Sequence, residues 1–214
     1  MPITTVIFDY GCVISITPTP QDFEPLRKAI GVELAAFKET YWRYRDAYDL
    51  DDLDAAAYWQ EFGRDVGRHF SPAQIHKLAA LDCHIWGRPN PVMVEWVRLL
   101  RGKGLKTAVI SNISRNVGDY LRRTGRWVGF MNQVTFSGEL KLLKPDAAIF
   151  HACLEGLGEA AAQTLFIDDK EANVTAAQKL GINGIVFHSV DQLQPALEPY
   201  GLTESLAEAK DRSK

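Results

Sequence analysis

The sequence predicts an α/β protein: a parallel sheet with helices on both faces, and a helical unit inserted after the first strand. Three observations carry this expectation. Short apolar and β-branched runs recur along the chain without polar alternation, as strands buried on both faces do. Amphipathic helical patterns lie between them, and alternation of strand and helix gives a parallel sheet. One long segment between the first two runs has helical periodicity and no convincing strand.

The first run is Thr5-Val6-Ile7-Phe8, ending at Asp9. Helical stretches follow over residues 23–30, 34–44, 55–67 and 72–81. The turn clusters Thr17-Pro18-Thr19-Pro20 and Gly87-Arg88-Pro89-Asn90-Pro91 bracket them. The expected division is therefore a core of residues 1–16 and 88–214 and a helical insert of residues 17–87. Residues 92–101 carry an apolar stripe of Val92, Met93, Trp96, Val97, Leu99 and Leu100. Then come Lys106-Thr107-Ala108-Val109-Ile110, Gln133-Val134-Thr135-Phe136, a helix over 147–157, and Thr164-Leu165-Phe166-Ile167. A helix over 171–180 and the run Gly184-Ile185-Val186-Phe187 complete the alternation. Gly102, Gly104, Gly158 and Gly181 stand where helix C-caps are expected. The charged tail, residues 204–214, is expected to be a frayed surface helix or unordered.

Composition narrows the function classes. With 214 residues, 46% of them hydrophobic, the chain can bury ~70% of its unfolded surface without a disulfide or metal. The 24 basic and 27 acidic residues are interspersed, for a net charge of −3. That offers nucleic acid no electrostatic footprint. No run approaches the ~18 apolar residues of a membrane-spanning helix, and the start lacks the pattern of a secretory signal. Cys12, Cys83 and Cys153 form an odd set with no C-x-x-C pair, which fits a reducing compartment. The expectation is a cytoplasmic monomer or homodimer acting on a small molecule.

Ligands of open parallel sheets bind beyond the carboxyl ends of the strands. Those ends carry Asp9, Ser111-Asn112 and Asp168-Asp169, and Lys144-Pro145 opens another helix after a loop. Two carboxylate clusters, a hydroxyl and a lysine therefore converge on one rim. Phosphoryl transfer needs a positioned nucleophile and positive charge around the equatorial oxygens. A carboxylate attacking an anionic phosphate also needs a cation such as Mg²⁺ to offset repulsion.

The spacing of these residues resembles the haloacid dehalogenase-like hydrolase superfamily. Four stretches carry the resemblance: Val6-Ile7-Phe8-Asp9-Tyr10-Gly11-Cys12-Val13, Val109-Ile110-Ser111-Asn112, Leu143-Lys144-Pro145-Asp146-Ala147-Ala148-Ile149-Phe150, and Phe166-Ile167-Asp168-Asp169-Lys170-Glu171-Ala172-Asn173-Val174. It implies a Rossmann-like three-layer core with a helical cap of the family's first type. It further implies Asp9 as a nucleophile that forms an aspartyl-phosphate, with Mg²⁺ held by Asp9, the Gly11 carbonyl and Asp169. Asp168 would orient a metal-bound water, Ser111 and Asn112 would hold the phosphate, and Lys144 would neutralise Asp9 and the transferring group. The implied substrate is a small phosphomonoester.

The chain departs from the family where a second Asp usually supplies a proton to the leaving group. That position is Gly11, and the usual glycine after it is Cys12. Losing a general acid costs ~10²–10⁴ in rate. One reading is a phosphatase that finds its acid elsewhere, resembling sugar-phosphate phosphatases such as bacterial glucose-1-phosphatase. A second is a metal-independent 2-haloacid dehalogenase, against which the Asp168-Asp169 pair argues. A third is a catalytically weak binding or regulatory protein. Tyr10 is expected to pack, Cys12 to fill space, and His151 to be structural. The cap aromatics Tyr41, Trp42, Tyr44, Tyr48, Tyr58, Trp59 and Phe62 are expected to form the cap's own core. Arg43, Arg45 and Arg88 are candidates for a second anion, with surface roles the plainer reading.

Overall fold

The structure is a computed structural model that describes residues 2–214. Five parallel strands form its sheet: β1 (Thr5–Phe8), β2 (Lys106–Ser111), β3 (Gln133–Phe136), β4 (Thr164–Asp168) and β5 (Asn183–Val186). Their order is β3-β2-β1-β4-β5, so the winding reverses at β1. β1 is hydrogen-bonded on both sides, with Phe8 opposite Val109 of β2 and Ile167 of β4. This register places Asp9 beside Asp168, and the Asp9 N–H donates to the Ile167 carbonyl at 2.8 Å. The reversal opens a crevice above these strand ends, where ligands of such sheets bind.

Between β1 and Pro91 the chain forms the helices α1 (Glu24–Ile30), α2 (Leu34–Arg43), α3 (Arg45–Asp49), α4 (Ala55–Asp65) and α5 (Pro72–Trp86). They enclose a hydrophobic core of their own, in which Phe37, Tyr41, Tyr48, Tyr58, Trp59 and Phe62 are buried. The remaining helices are α6 (Pro91–Gly102), α7 (Arg115–Thr124), α8 (Ser137–Leu140), α9 (Ala147–Leu157), α10 (Glu171–Lys179), α11 (Val190–Ala196) and α12 (Thr203–Arg212). α6, α7 and α12 cover the sheet face that presents Val6, Phe8, Val109 and Ile167, while α9 and α10 cover the face of Ile7, Ile110 and Phe166. Among the described residues no helix is long and apolar enough to cross a membrane.

The two connections between the helical cap and the sheet run side by side. Ser15 and Pro89 form an antiparallel bridge, Ile16 N–H donates to the Arg88 carbonyl at 2.9 Å, and Asn90 N–H donates to the Ile14 carbonyl at 2.7 Å.

Several elements differ from expectation. The tail is neither frayed nor unordered: α12 buries Leu206 and Ala209, and the Trp96 indole donates to Ser205 Oγ at 2.8 Å. Its charges face outward and only one stripe is apolar, so composition disguises a packed helix. α5 continues past residue 81 to Trp86, because Ile85 packs in the cap and Cys83 in the core. α7, which the sequence reading did not anticipate, is sharply amphipathic: Val117 and Leu121 are buried on one side and the rest of the helix is mostly polar and charged. His151 faces solvent rather than filling a structural role, as do His84 and His188.

Candidate active site

Asp9 follows β1 directly and its side chain accepts from the Tyr10 N–H at 2.6 Å. The chain then turns sharply, with Gly11 at φ −60°, ψ 127° and Cys12 at φ 59°, ψ 0°. Cys12 thus occupies the left-handed region that glycine adopts freely. Its N–H donates to Ser15 Oγ at 3.0 Å and Ser15 N–H returns to the Tyr10 carbonyl at 2.7 Å, which closes the turn. Tyr10 is buried, stacks on Trp127 and donates its hydroxyl to the Trp86 carbonyl at 2.5 Å. It is a packing residue, and burial pushes its hydroxyl well above the usual tyrosine range. Burial, with Asp169 nearby, also raises the Cys12 thiol, so this is not an activated nucleophile.

Lys144 is the hub of the site. Its ammonium lies 2.9 Å from Asp9 Oδ1 and 2.7 Å from Asp168 Oδ2, and donates to the Ile110 carbonyl at 2.9 Å. Burial opposes its charge, but Asp9 and Asp168 outweigh burial and hold the ammonium above the ordinary lysine value. Asn112 fixes the lysine from behind. Its side-chain carbonyl accepts from the Lys144 N–H at 2.8 Å, and its amide donates to the Lys144 carbonyl at 2.9 Å. The Asn112 side chain is therefore engaged with the Lys144 backbone, not turned toward a phosphate.

Asp168 is fully buried. Its oxygens accept from Lys144, from the Lys170 N–H at 2.8 Å and from the Asn173 amide at 3.0 Å. Asn173 is an orienting residue the sequence reading did not single out. Its signal was its place one helical turn after Asp168-Asp169. Ser111 closes β2 buried, and its residue lines the cavity with Asp9, Lys144 and Asp169.

Oxygens of Asp9, Asp168 and Asp169 lie within 4.8 Å of one another. Burial, reinforced by Asp168 and Asp169 and opposed by Lys144, pushes the Asp9 carboxyl up to about 6. Asp169 is raised by burial and by Asp168. Negative charge thus exceeds what Lys144 neutralises, and an all-oxygen donor set with surplus charge suits a hard divalent cation.

A cavity of about 370 Å³ lies between this rim and the cap. The cap contributes Phe23, Trp42, Arg45, Asp46, Asp49 and Trp86 to it; of these the sequence reading had offered only Arg45, as a candidate for a second anion. Most cap aromatics do form the cap core; Trp42 is the exception, 52% exposed. The signal was present in α2, where Phe37 and Tyr41 make the buried i, i+4 pair and Trp42 stands just off their stripe. Arg45 is buried in an ion-pair network with Asp49 at 3.1 Å and Asp82 at 3.2 Å. Asp82 also accepts from the Tyr41 hydroxyl at 2.5 Å. Burial, opposed by Arg45 and reinforced by Asp82, pushes the Asp49 carboxyl up to about 6.

The profile of the haloacid dehalogenase-like hydrolases matches residues 3–181. The chain belongs to this family. Sesquiterpene phosphatase astK of Aspergillus oryzae is 31% identical over 193 residues, 90% of this chain and 92% of that protein. Two solved structures share the fold. A HAD-like hydrolase from Porphyromonas gingivalis superposes with a TM-score of 0.73 at 20% identity, over 92% of this chain and 99% of that one. A HAD family enzyme from Bacteroides thetaiotaomicron, crystallised with magnesium and inorganic phosphate, gives 0.72 at 20% identity, over 87% of this chain and 94% of that one. The chain is thus a HAD-like hydrolase, and its structural relatives include an enzyme seen with magnesium and phosphate.

Proposed function

We propose that the chain is a Mg²⁺-dependent phosphatase of phosphomonoesters that works through an aspartyl-phosphate on Asp9. The observation carrying this reading is the Lys144 ammonium wedged between Asp9 and Asp168 beside the surplus carboxylate of Asp169. The surplus charge favours a cation and so disfavours the metal-independent dehalogenase. The relative named a phosphatase supports the same chemistry. Asp9, Asp169 and the Gly11 carbonyl would hold the magnesium, which when bound offsets repulsion between the nucleophile and the phosphate.

Asp9 attacks phosphorus and the P–O bond to the alcohol breaks. Lys144 holds the carboxylate in place and neutralises part of the charge on the phosphoryl group, while Ser111 binds a phosphate oxygen. Asp168, gripped by Asn173 and the Lys170 N–H, keeps Lys144 aimed. The leaving oxygen needs a proton that Gly11 cannot give. We assign this role to Asp49, a cavity carboxyl whose buried setting keeps it protonated to about 6, near the pH range an acid catalyst needs. In the second half Asp49 accepts a proton from the water that attacks phosphorus, which frees inorganic phosphate and restores Asp9. Three unpaired thiols, two of them buried, fit a cytoplasmic setting for this enzyme.

The test is hydrolysis of p-nitrophenyl phosphate by wild type and Asp9→Asn, each with Mg²⁺ and with EDTA. Activity should require both Asp9 and the metal. Activity that survives EDTA, or persists in Asp9→Asn, sinks the reading.

A further inference from the structure

The reaction cavity does not end beside the phosphate site. On the cap side a second depression of about 350 Å³ adjoins it, and Pro18, Phe23 and Trp42 line both. Leu34, Phe37 and Tyr41 form most of the remaining wall, and Lys38 is the one charged residue on it. Leu34 is 39% and Trp42 52% exposed. Among the described residues only Ile16 and Leu140 join them as large apolar side chains left in water. Ile16 immediately precedes Thr17 and Pro18, which line the cavity. Two of these four, Leu34 and Trp42, line the groove beside the catalytic centre, and covering them is favourable.

Charge points the same way. The arginines that would meet a second anionic group on a substrate are already paired: Arg43 with Glu39 and Asp65, Arg45 with Asp49 and Asp82, Arg88 with Asp22. Asp46, exposed on the cavity wall, would repel such a group. The arginines therefore offer no free partner to a second anionic group, and the groove, Lys38 apart, presents aromatic and aliphatic faces in place of the hydrogen-bonding groups a sugar needs.

Resting on the phosphatase reading, we infer that the groove formed by Phe23, Leu34, Phe37 and Trp42 holds the hydrocarbon chain of the substrate, so that the substrates are monophosphate esters of long apolar alcohols. The wall that the groove shares with the cavity, Pro18, Phe23 and Trp42, is what ties its occupant to the reaction. An aliphatic alcohol is also a poor leaving group, which fits a cavity that supplies a cap carboxyl as acid.

The experiment measures kcat/KM with Mg²⁺ for ethyl, butyl, hexyl, octyl and decyl phosphate below their aggregation concentrations, with glucose 1-phosphate and p-nitrophenyl phosphate alongside. Each methylene that enters the groove should raise kcat/KM by ~2–4-fold. In Leu34→Glu and Trp42→Ala the ratio of decyl to ethyl phosphate should collapse toward one, and in Leu34→Met it should persist. Because the ratio is taken within each variant, a general loss of folded enzyme cancels. A flat chain-length series in wild type, or glucose 1-phosphate outperforming decyl phosphate, overturns the inference. So does Leu34→Glu changing the oligomeric state with no effect on the ratio. If p-nitrophenyl phosphate is not hydrolysed at all, the phosphatase reading fails separately. The groove is then judged by calorimetric titration with decyl phosphate: binding lost in Leu34→Glu sustains it, and no binding to wild type overturns it.

Discussion

The sheet rim and the cap wall face one cavity and are built in opposite ways. At the rim the central groups have fixed partners: Lys144 bridges two carboxylates, Asn112 clamps the lysine's backbone, and Asn173 and the Lys170 N–H hold Asp168. The cap wall offers Trp42 and Leu34, exposed and making few directional contacts, beside one buried ionic knot around Arg45. A rim of this kind fixes the reaction, because preorganised charge must sit within fractions of an ångström. A wall of this kind selects the substrate by area, which tolerates imprecision.

The contrast can be broken most forcefully at its hub. Lys144→Met leaves two buried carboxylates facing each other without their counter-ion. It should cost ~3–5 kcal/mol of stability and ~10²–10³ in kcat. Urea unfolding with and without Mg²⁺ checks this, and the cation should restore part of the loss by replacing the missing charge. Stability unchanged without Mg²⁺ would mean that the pairing is not what holds the rim.

Asp49→Asn sharpens the comparison by removing a catalytic proton from the cap side. The expected loss is ~10² for alkyl phosphates and much less for p-nitrophenyl phosphate, whose leaving group needs little help. An acid is active while protonated. With Asp49 pushed up to about 6, kcat/KM for alkyl phosphates should decline as pH rises through that value, and the variant should lose this limb. Equal losses on both substrates would assign Asp49 to holding Arg45 instead.

Gly11→Asp should then return part of the alkyl-phosphate rate to the Asp49→Asn enzyme. Its backbone at φ −60° accepts any residue, and a Cβ there meets nothing closer than a Trp86 ring carbon at 3.9 Å. The smallest effect belongs to the turn itself. Cys12→Gly relieves a left-handed conformation and should stabilise the fold by ~0.5–1 kcal/mol, read as a shift in the urea midpoint at constant slope.

The same contrast explains what could be read from the sequence. Asp9, Ser111 and Asp168 sit at the ends of apolar runs, and a parallel sheet converts those ends into one rim, so linear order encodes spatial convergence. Lys144 was legible through its motif. Asn112 shows the limit, because a strand-end position says that a side chain is near the site but not which way its hydrogen bonds run. Trp42 and Asp49 had no such marker. On a helix an aromatic or acidic residue is ordinary, and only the packing of α2 and α3 over the rim makes these two face a ligand. The tail failed for a related reason: the single apolar stripe of α12 is diluted by charge until Trp96 and Ser205 reveal where it docks.

The paired connectors at Ser15 and Pro89 have a mechanical consequence. Two stretches of chain tied by one bridge, made of the Ile16–Arg88 and Asn90–Ile14 hydrogen bonds, resist sliding past each other. The cap is held to the core elsewhere too, by the Ser137 hydroxyl on the Asp49 carbonyl and the Arg115–Asp51 and Lys141–Asp52 pairs, so a swing about the connectors must break these contacts. One of the two stretches leaves the turn that begins at Asp9, so any such swing starts five residues from the nucleophile. An insertion in one connector alone would shift the Ser15–Pro89 bridge out of register.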